Sequence, residues 1–187
     1  MLDIRAATGA ADMDMVRTLL REYQSTLDTD LCFQGFNAEL ANLPGDYQAP
    51  QGRLYLAFHN DQPIGCIALR AVDDGRGEMK RLYVRPAARG FGAGRALVAR
   101  LLADAKAIGY REVVLDTLPS MSDAQRMYER LGFRDIAPDR AACFTRLSAP
   151  LRLVPPTARA ISAPLRSYCP ARPRSPAIPA FSIRNPD

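Results

Sequence analysis

The glycine-rich run Arg89–Gly94, which reads Arg-Gly-Phe-Gly-Ala-Gly, is the part of the sequence that indicates chemistry most directly. It lies between a predicted strand that ends at Val84 and a predicted helix that begins near Gly92. A turn of this kind presents backbone N–H groups and the positive end of the helix dipole to an anion. The sequence therefore predicts a phosphate-binding loop.

Two common phosphate loops differ from this one. An ATP-type loop needs Gly-Lys followed by Ser or Thr, whereas Gly94 is followed by Arg95 and Ala96. A dinucleotide fingerprint needs a third glycine three residues after the second, a place that Arg95 or Leu97 fills here, depending on the starting glycine. The first kind of loop is excluded and the second is incomplete.

A Rossmann-type dinucleotide-binding domain is nevertheless kept as an alternative. The predicted helix is followed by a predicted strand from Glu112 to Leu115 that ends in Asp116. In such domains an acidic side chain at about this distance from the glycines binds a ribose hydroxyl.

A different pattern, Arg/Gln-x-x-Gly-x-Gly, is met by Arg89, Gly92 and Gly94. In this pattern, and in the strand Glu78–Val84 before it, the chain resembles the GNAT superfamily of acetyl-CoA-dependent N-acyltransferases. The later run Ala124–Phe133 is similar to the family's tyrosine-containing helix and the Gly-Phe that follows it. The resemblance implies an α/β fold, a single GNAT-like domain with a mixed, mostly antiparallel sheet flanked by helices.

The resemblance also implies how acetyl-CoA binds as a cosubstrate. In the family, the strand before the loop splays from its neighbour, its backbone holds the pantetheine arm, and one N–H faces the thioester oxygen. In this chain that strand segment comprises Leu82, Tyr83 and Val84. The pyrophosphate is expected on the following loop, which comprises Arg89, Gly90, Phe91, Gly92, Ala93, Gly94 and Arg95. The stretch Lys80–Arg100 has six basic and no acidic residues, which suits a multiply phosphorylated carrier.

Glu78 is the first candidate for the base that deprotonates the acceptor ammonium. Strict alternation along its strand predicts that it shares a face with Leu82 and Val84, and an acidic residue is unusual in a central, buried strand. The alternative is a structural role, either at a solvated edge or in a pair with Lys80 or Arg81.

Two further residues are candidates for proton transfer. Asp116, at the end of the next strand, is a second candidate base, with capping of the Leu118-Pro119 turn as its alternative role. Tyr128 is the candidate acid, because its phenol could protonate the CoA thiolate, whose pKa is near that of cysteine, about 8.5. A tyrosine packed in the core is the alternative, since helical spacing places Tyr128 on an apolar stripe.

Metal and covalent catalysis are both disfavoured by the sequence. His59 is the only histidine, and the four cysteines are widely scattered, at Cys32, Cys66, Cys143 and Cys169. Their spacing forms neither a zinc site nor a histidine-activated nucleophile. Because Met1–Met15 has three aspartates and no apolar run, an export signal is not expected and a reducing cytoplasm is the expected location.

The elements that position these residues can be predicted from periodicity. A strand at Leu2–Ala6 precedes a helix, and a hairpin joins strands at Arg53–Phe58 and Ile64–Ala71. The helix after the glycine loop ends at Gly109, and a capping box of Ser122 and Gln125 begins the helix that carries Tyr128. The closing strands after Phe133 are expected to be short, distorted or absent.

The end of the chain differs in composition from the rest. Residues 149–187 hold six arginines, one acidic residue and nine of the 15 prolines, so they carry the whole net charge of +5. This predicts a folded domain over 1–148 and a disordered tail over 149–187. A functionless extension is favoured over a basic arm for nucleic acid or an acidic membrane, because the arginines lack interleaved aromatic residues.

The acceptor is expected to be a small-molecule amine or an amino acid. Its pocket is predicted from a mixed aromatic and polar set in the first third of the chain, Tyr23, Phe33, Gln34, Phe36 and Tyr47. Neither membrane nor nucleic-acid binding is expected of the domain, and a homodimer is left open. A CoA-binding sensor without turnover is the alternative if the end of the domain is damaged. The sequence also departs from the family at Met121, where many relatives have an Asn that contacts CoA.

Overall fold

The computed structural model describes residues 1–27, 35–136 and 145–151. In these residues the strands are β1 (Leu2–Ala6), β2 (Arg53–His59), β3 (Gln62–Asp73), β4 (Arg76–Val84), β5 (Glu112–Thr117), β6 (Arg134–Asp135) and β7 (Thr145–Pro150). The α-helices are α1 (Gly9–Ser25), α2 (Phe36–Ala41), α3 (Ala93–Ile108) and α4 (Ser122–Arg130). Short 3-10 turns are formed by Gly45–Tyr47 and Pro86–Ala88.

The strands form one sheet in the order β1-β2-β3-β4-β5-β7-β6. Every neighbouring pair is antiparallel except β4 and β5, which α3 connects as a crossover. The predicted mixed, mostly antiparallel sheet is confirmed, as is the hairpin of β2 and β3. A Rossmann domain needs a parallel sheet wound in both directions, so that alternative is wrong.

Helices cover both faces of the sheet. We call the face covered by α3 and α4 the α3 face, where side chains such as Leu97, Leu101 and Phe133 are buried. We call the face covered by α1 and α2 the α1 face, where Val16, Leu19 and Phe36 are buried. None of the helices in the described ranges combines the length and the apolar composition of a membrane-crossing segment.

The end of the domain is more regular than the sequence predicts. β6 has only two residues, but β7 pairs with β5 along six, from Thr117 with Thr145 to Glu112 with Pro150. β7 therefore runs two residues past the predicted boundary at 148. The segment 137–144 and the tail after 151 lie outside the described residues, so the division into domain and tail stays a prediction.

The predicted capping box of α4 is wrong. Ser122 is the first helical residue rather than the cap, and the cap position, Met121, forms no side-chain hydrogen bond to the helix. Gln125 instead donates its Nε2 hydrogen to the Leu118 carbonyl oxygen at 3.0 Å. The glutamine thus stabilises the turn that precedes the helix.

Candidate active site

β4 and β5 separate part-way along their length. Their ladder has three residue pairs, of which Glu78 with Val114 is the last, although β4 continues to Val84 and β5 to Thr117. Beyond Glu78 the edge of β4 that faces β5 has no strand partner in the described sheet. Backbone N–H and C=O groups in such an opening need hydrogen-bond partners, which a ligand can supply. We call this wedge the opening.

β4 contains a bulge beside the opening. Cys66 of β3 pairs with Tyr83 and Ala68 pairs with Lys80, so β4 has one extra residue in this interval. Arg81 has a φ of 60°, which is uncommon for a residue other than glycine. A bulge of this kind reverses the alternation of the side chains that follow it.

The bulge divides the β4 side chains between the two faces of the sheet. The residues of β4 that pack against the α3-face cluster are Met79, Leu82 and Val84. Glu78 lies directly opposite Arg70 of β3, and Ala68, two residues earlier in β3, is buried on the α1 face. The prediction that Glu78 shares a face with Leu82 and Val84 is wrong, because the extra residue at Arg81 lies between them.

The glycine loop lies at the N-terminus of α3, close to the opening. Gly90 and Gly92 have φ values of 96° and 76°, which favour glycine, and α3 begins without a side-chain cap. A Cβ on Gly94 would lie 3.7 Å from Met127 Sδ of α4 and 3.8 Å from Val84 Cγ2. The free N–H groups of the first turn of α3 are therefore next to the end of β4.

Side chains at the loop are mostly turned to solvent. Arg89 and Arg95 are exposed, as is Phe91, whose ring has a relative exposure of 54% and contacts the ring of His59 with centroids 4.8 Å apart. Ala93 is buried beneath them. The loop thus offers backbone groups and two exposed cations, which fits a pyrophosphate.

Glu78 is buried in an ion-pair network on the α1 face. Its relative exposure is 6%, its Oε2 accepts a hydrogen bond of 2.7 Å from Nε of Arg70, and Nη2 of Arg70 lies 2.7 Å from the same oxygen in an ion pair. Lys80 Nζ lies 3.7 Å from Oε1, which is beyond hydrogen-bond range. The structure therefore places Glu78 in the last pair of the ladder, with Oε2 held by Arg70 and Oε1 nearest to Lys80.

A second buried pair joins α2 to the bulge. Arg81 donates from Nε and Nη2 to the two carboxylate oxygens of Glu39, at 2.8 and 2.6 Å, and Tyr47 donates its hydroxyl to Oε1 at 2.7 Å. Burial would raise the pKa of Glu39, but the Arg81 guanidinium holds it below its ordinary value. This pair fixes the side chain of the bulged residue.

Asp116 lies on the same face of the sheet as Glu78, on the other side of the opening. Val114 pairs with Glu78, and Asp116 is two residues further along β5. It pairs with Arg146 of β7, whose Nη1 is 3.7 Å from Oδ1. The two candidate bases are thus brought to the same face.

Tyr128 lies on the α3 face, with its ring 5.6 Å from that of Phe133, and 6% of its surface is exposed. Among the described residues its hydroxyl has no hydrogen-bond partner. Burial raises the pKa of Tyr128, and the charge of an ionised Tyr23 would raise it further. Tyr23 itself belongs to α1 and contacts Tyr83 with ring centroids 5.7 Å apart. The effect of Tyr23 on the pKa of Tyr128 therefore indicates that phenols from the two faces lie near each other.

The model of the GNAT acetyltransferase family matches residues 14–133. The chain belongs to this family. A GNAT enzyme is an acyltransferase, which confirms the predicted enzyme class. An uncharacterised N-acetyltransferase of Schizosaccharomyces pombe is 36% identical to this one over 139 residues, which are 73% of this chain and 85% of the relative.

Solved GNAT structures share the fold. An acetyltransferase of the GNAT family from Staphylococcus aureus superposes with a TM-score of 0.70 at 20% identity, covering 81% of this chain and all of that one. The PaiA N-acetyltransferase of Thermoplasma acidophilum, solved in complex with coenzyme A, superposes with a TM-score of 0.64 at 17% identity. The match covers 80% of this chain and 99% of that one.

The predicted acceptor residues of this GNAT acetyltransferase take different roles. Phe33 and Gln34 lie outside the described residues. Of the others, Tyr47 hydrogen-bonds to Glu39 as described above, and Phe36 packs against the Arg81 guanidinium, 5.1 Å from its ring centroid. These aromatic side chains pack on the α1 face.

Sequence reasoning missed the partners of this network. Arg70 was visible as a charge inside a predicted buried strand, and nothing in the local sequence pairs Glu39 with Arg81, 42 residues apart. Among the cysteines, only Cys66 falls in the described part of the chain, where burial raises its pKa to about 12. It therefore stays a thiol near neutral pH and is a poor nucleophile.

Proposed function

We propose that this GNAT acetyltransferase transfers the acetyl group of acetyl-CoA directly to the primary amine of a small molecule or an amino acid. The observation that carries the proposal is the opening between β4 and β5, which lies beside the glycine loop at the start of α3.

The donor side of the site is built from backbone. The pyrophosphate binds the N–H groups of residues 89–95, and the pantetheine arm lies along the free edge of Leu82, Tyr83 and Val84. One N–H of this edge polarises the thioester carbonyl and stabilises the developing oxyanion. The backbone geometry fits coenzyme A, and the solved PaiA complex supports its use as the carrier.

The acceptor side lies on the α1 face. Glu78 takes the proton of the acceptor ammonium on Oε1, because Oε2 is held by Arg70. The free amine then forms a bond to the carbonyl carbon, and the bond from that carbon to sulfur breaks. The nitrogen loses its second proton, which passes through solvent to the departing thiolate, so the products are the amide and free CoA. Asp116, on the same face across the opening and 3.7 Å from Arg146 Nη1, is the second candidate base.

Tyr128 completes the cycle at the sulfur. Because burial raises its pKa, the phenol is neutral near pH 7 and donates a hydrogen bond to the leaving thiolate. The CoA thiol has a pKa of about 8.5, well below that of this phenol, so Tyr128 stabilises the thiolate more than it protonates it. A direct transfer of this kind needs neither a metal nor a covalent enzyme intermediate.

The alternative function is that of a CoA-binding sensor without turnover, which the sequence favours only if the end of the domain is damaged. The pairing of β7 with β5 along its whole length weighs against that alternative. Location in a reducing cytoplasm, a homodimer and the role of the tail stay predictions.

The proposal is tested first on the donor. Titration of the protein with acetyl-CoA by calorimetry should give a heat of association, and NAD, as a matched nucleotide control, should give none. A release assay for the CoA thiol over amino acids, polyamines, aminoglycosides and N-terminal peptides then tests turnover. Absence of heat with acetyl-CoA in well-folded protein would overturn the proposal.

A further inference from the structure

The charged side chains around Glu78 differ in their hydrogen bonding. Each buried carboxylate is held by an arginine, Glu78 by Arg70 and Glu39 by Arg81, with distances of 2.6 to 2.8 Å. Lys80 differs from both arginines. Its closest carboxylate oxygen is 3.7 Å away, and no hydrogen bond of its ammonium is found within the described residues.

Lys80 is also placed where an ordinary surface lysine would not be. It lies in β4 immediately before the bulge, two residues beyond the last pair with β5, and its side chain is only 18% exposed. Burying an ammonium without hydrogen bonds is unfavourable. Burial lowers the pKa of Lys80, and the Glu78 carboxylate opposes this shift. A merely structural lysine at this position would be expected to find an acceptor.

The pair of Lys80 and Glu78 presents opposite charges side by side at the acceptor side of the opening. An α-amino acid carries its ammonium and carboxylate one carbon apart. Its ammonium can lie against Glu78 Oε1 while its carboxylate accepts hydrogen bonds from Lys80. In that orientation the nitrogen that loses its proton is the nitrogen that attacks.

We propose that the acceptor is a free α-amino acid, whose α-carboxylate binds Lys80 and whose α-amino group is acetylated beside Glu78. This inference rests on the proposed function and names its acceptor class. An amine without the carboxylate would leave the Lys80 ammonium without a hydrogen-bond acceptor among the described residues, so the site discriminates against it. Lys80 is therefore a specificity residue of the reaction.

The test measures kcat/KM for acceptors that differ only in the carboxylate. The standard L-amino acids are screened for thiol release, and each one that reacts is compared with its amide and with the corresponding decarboxylated amine. β-Alanine, with one more carbon between the charges, tests the spacing. We expect the acid to exceed its amide by about tenfold to a hundredfold.

Lys80→Met is the decisive variant, because methionine keeps the buried stem and removes the charge. The ratio of acid to amide should fall to near one, whatever effect the change has on turnover through Glu78. Lys106→Met is the matched control, since Lys106 is the only other lysine and is exposed on α3. It should keep the wild-type ratio.

The outcomes separate the two proposals. Acetylation of acids and amides at equal rates, or an unchanged ratio in Lys80→Met, overturns the amino-acid acceptor and leaves the acetyltransferase proposal intact. Reaction of other amines but of no amino acid does the same. Absence of acetyl-CoA binding by calorimetry overturns both.

Discussion

In the proposed reaction, the two sides of the opening recognise their ligands by different means. On the donor side, the glycine loop and the free edge of β4 offer backbone groups, while the neighbouring side chains Leu82 and Val84 pack in the core. On the acceptor side, the same strand carries Glu78 and Lys80, whose function depends on the charge of each side chain. One strand can serve both because the bulge at Arg81 turns its later residues to the other face.

This difference has a consequence for mutations. Acetyl-CoA binding on the donor side should tolerate most changes of side chain. It should be weakened by a side chain that blocks the backbone N–H groups or repels the phosphates. The acceptor side should be sensitive to the loss of single charges. Each side can therefore be tested with a variant that leaves the measurement for the other side unchanged.

The largest effect is expected at Gly94. Gly94→Glu places a carboxylate at the start of α3, at the proposed pyrophosphate site. Two unit charges about 4 Å apart near a protein surface repel by about 4 kcal/mol, which is about a thousandfold in affinity. Calorimetry should detect no association with acetyl-CoA.

Gly94→Ala is the matched control for that prediction. Its Cβ would meet Met127 and Val84 at ordinary van der Waals distances, so the fold should be retained and acetyl-CoA should still bind. If the glutamate variant bound acetyl-CoA as tightly as the alanine variant, the pyrophosphate would have to lie elsewhere.

Glu78→Gln should affect the acceptor side alone. Removal of a general base lowers kcat by about a hundredfold, and turnover should recover at higher pH, where more of the amine is already deprotonated. Acetyl-CoA affinity should stay at the wild-type value by calorimetry. The measurement is kcat as a function of pH.

Asp46→Asn provides the control for the base. Asp46 also faces Arg70, at 3.8 Å, but its side chain is 80% exposed and it does not contact Glu78. Its pH profile should match that of the wild type. A Glu78→Gln profile identical to the wild type would move the role of base to Asp116.

The donor side was predictable from sequence to a larger extent than the acceptor side. The positive φ values at Gly90 and Gly92 favour glycine, so the loop can be recognised in the sequence from its glycines. A rule of strict alternation does not allow for the bulge at Arg81, and it therefore assigns Glu78 to the wrong face of the sheet. The pair of Glu39 and Arg81 depends on tertiary packing and leaves no local pattern.

The closing strand illustrates a different limit. Arg146–Ala149 alternates between the two faces, with Leu147 and Ala149 buried on the α3 face, and this pattern was present in the sequence. The change to a proline-rich composition predicts the boundary at 148, which falls two residues inside β7. Composition therefore locates the end of a short strand less well than strand pairing does.

The Glu39 and Arg81 pair should be measured as stability rather than activity. Glu39→Gln removes the charge that pairs with a buried guanidinium, and at pH 7 we expect a loss of about 2 kcal/mol in the free energy of unfolding. This is about thirtyfold in the folding equilibrium. Denaturant unfolding measures it, with the exposed Asp123→Asn variant expected to change little.

The pH dependence of this loss has a definite sign. The pKa of Glu39 is lower in the folded protein than its ordinary value of 4.5. The stabilisation is therefore present above about pH 4.5 and is lost as the pH falls through the folded-state pKa. The difference between wild type and Glu39→Gln should shrink in acid, and a constant difference would contradict the pairing as its cause.

Tyr128→Phe should give the smallest effect and tests where the two sides meet. The variant keeps the ring that packs on Phe133 and removes only the hydroxyl, so the loss of one hydrogen bond to the thiolate should lower kcat by about tenfold. Acetyl-CoA affinity should change little, because the donor is held by backbone. Tyr110→Phe is the control, since Tyr110 is equally buried but its hydroxyl bonds to the Gln51 carbonyl. An equal fall in kcat and in acetyl-CoA affinity for Tyr128→Phe would indicate that the phenol shapes the donor side by packing, because an effect confined to the leaving sulfur changes only the step in which the thiolate forms.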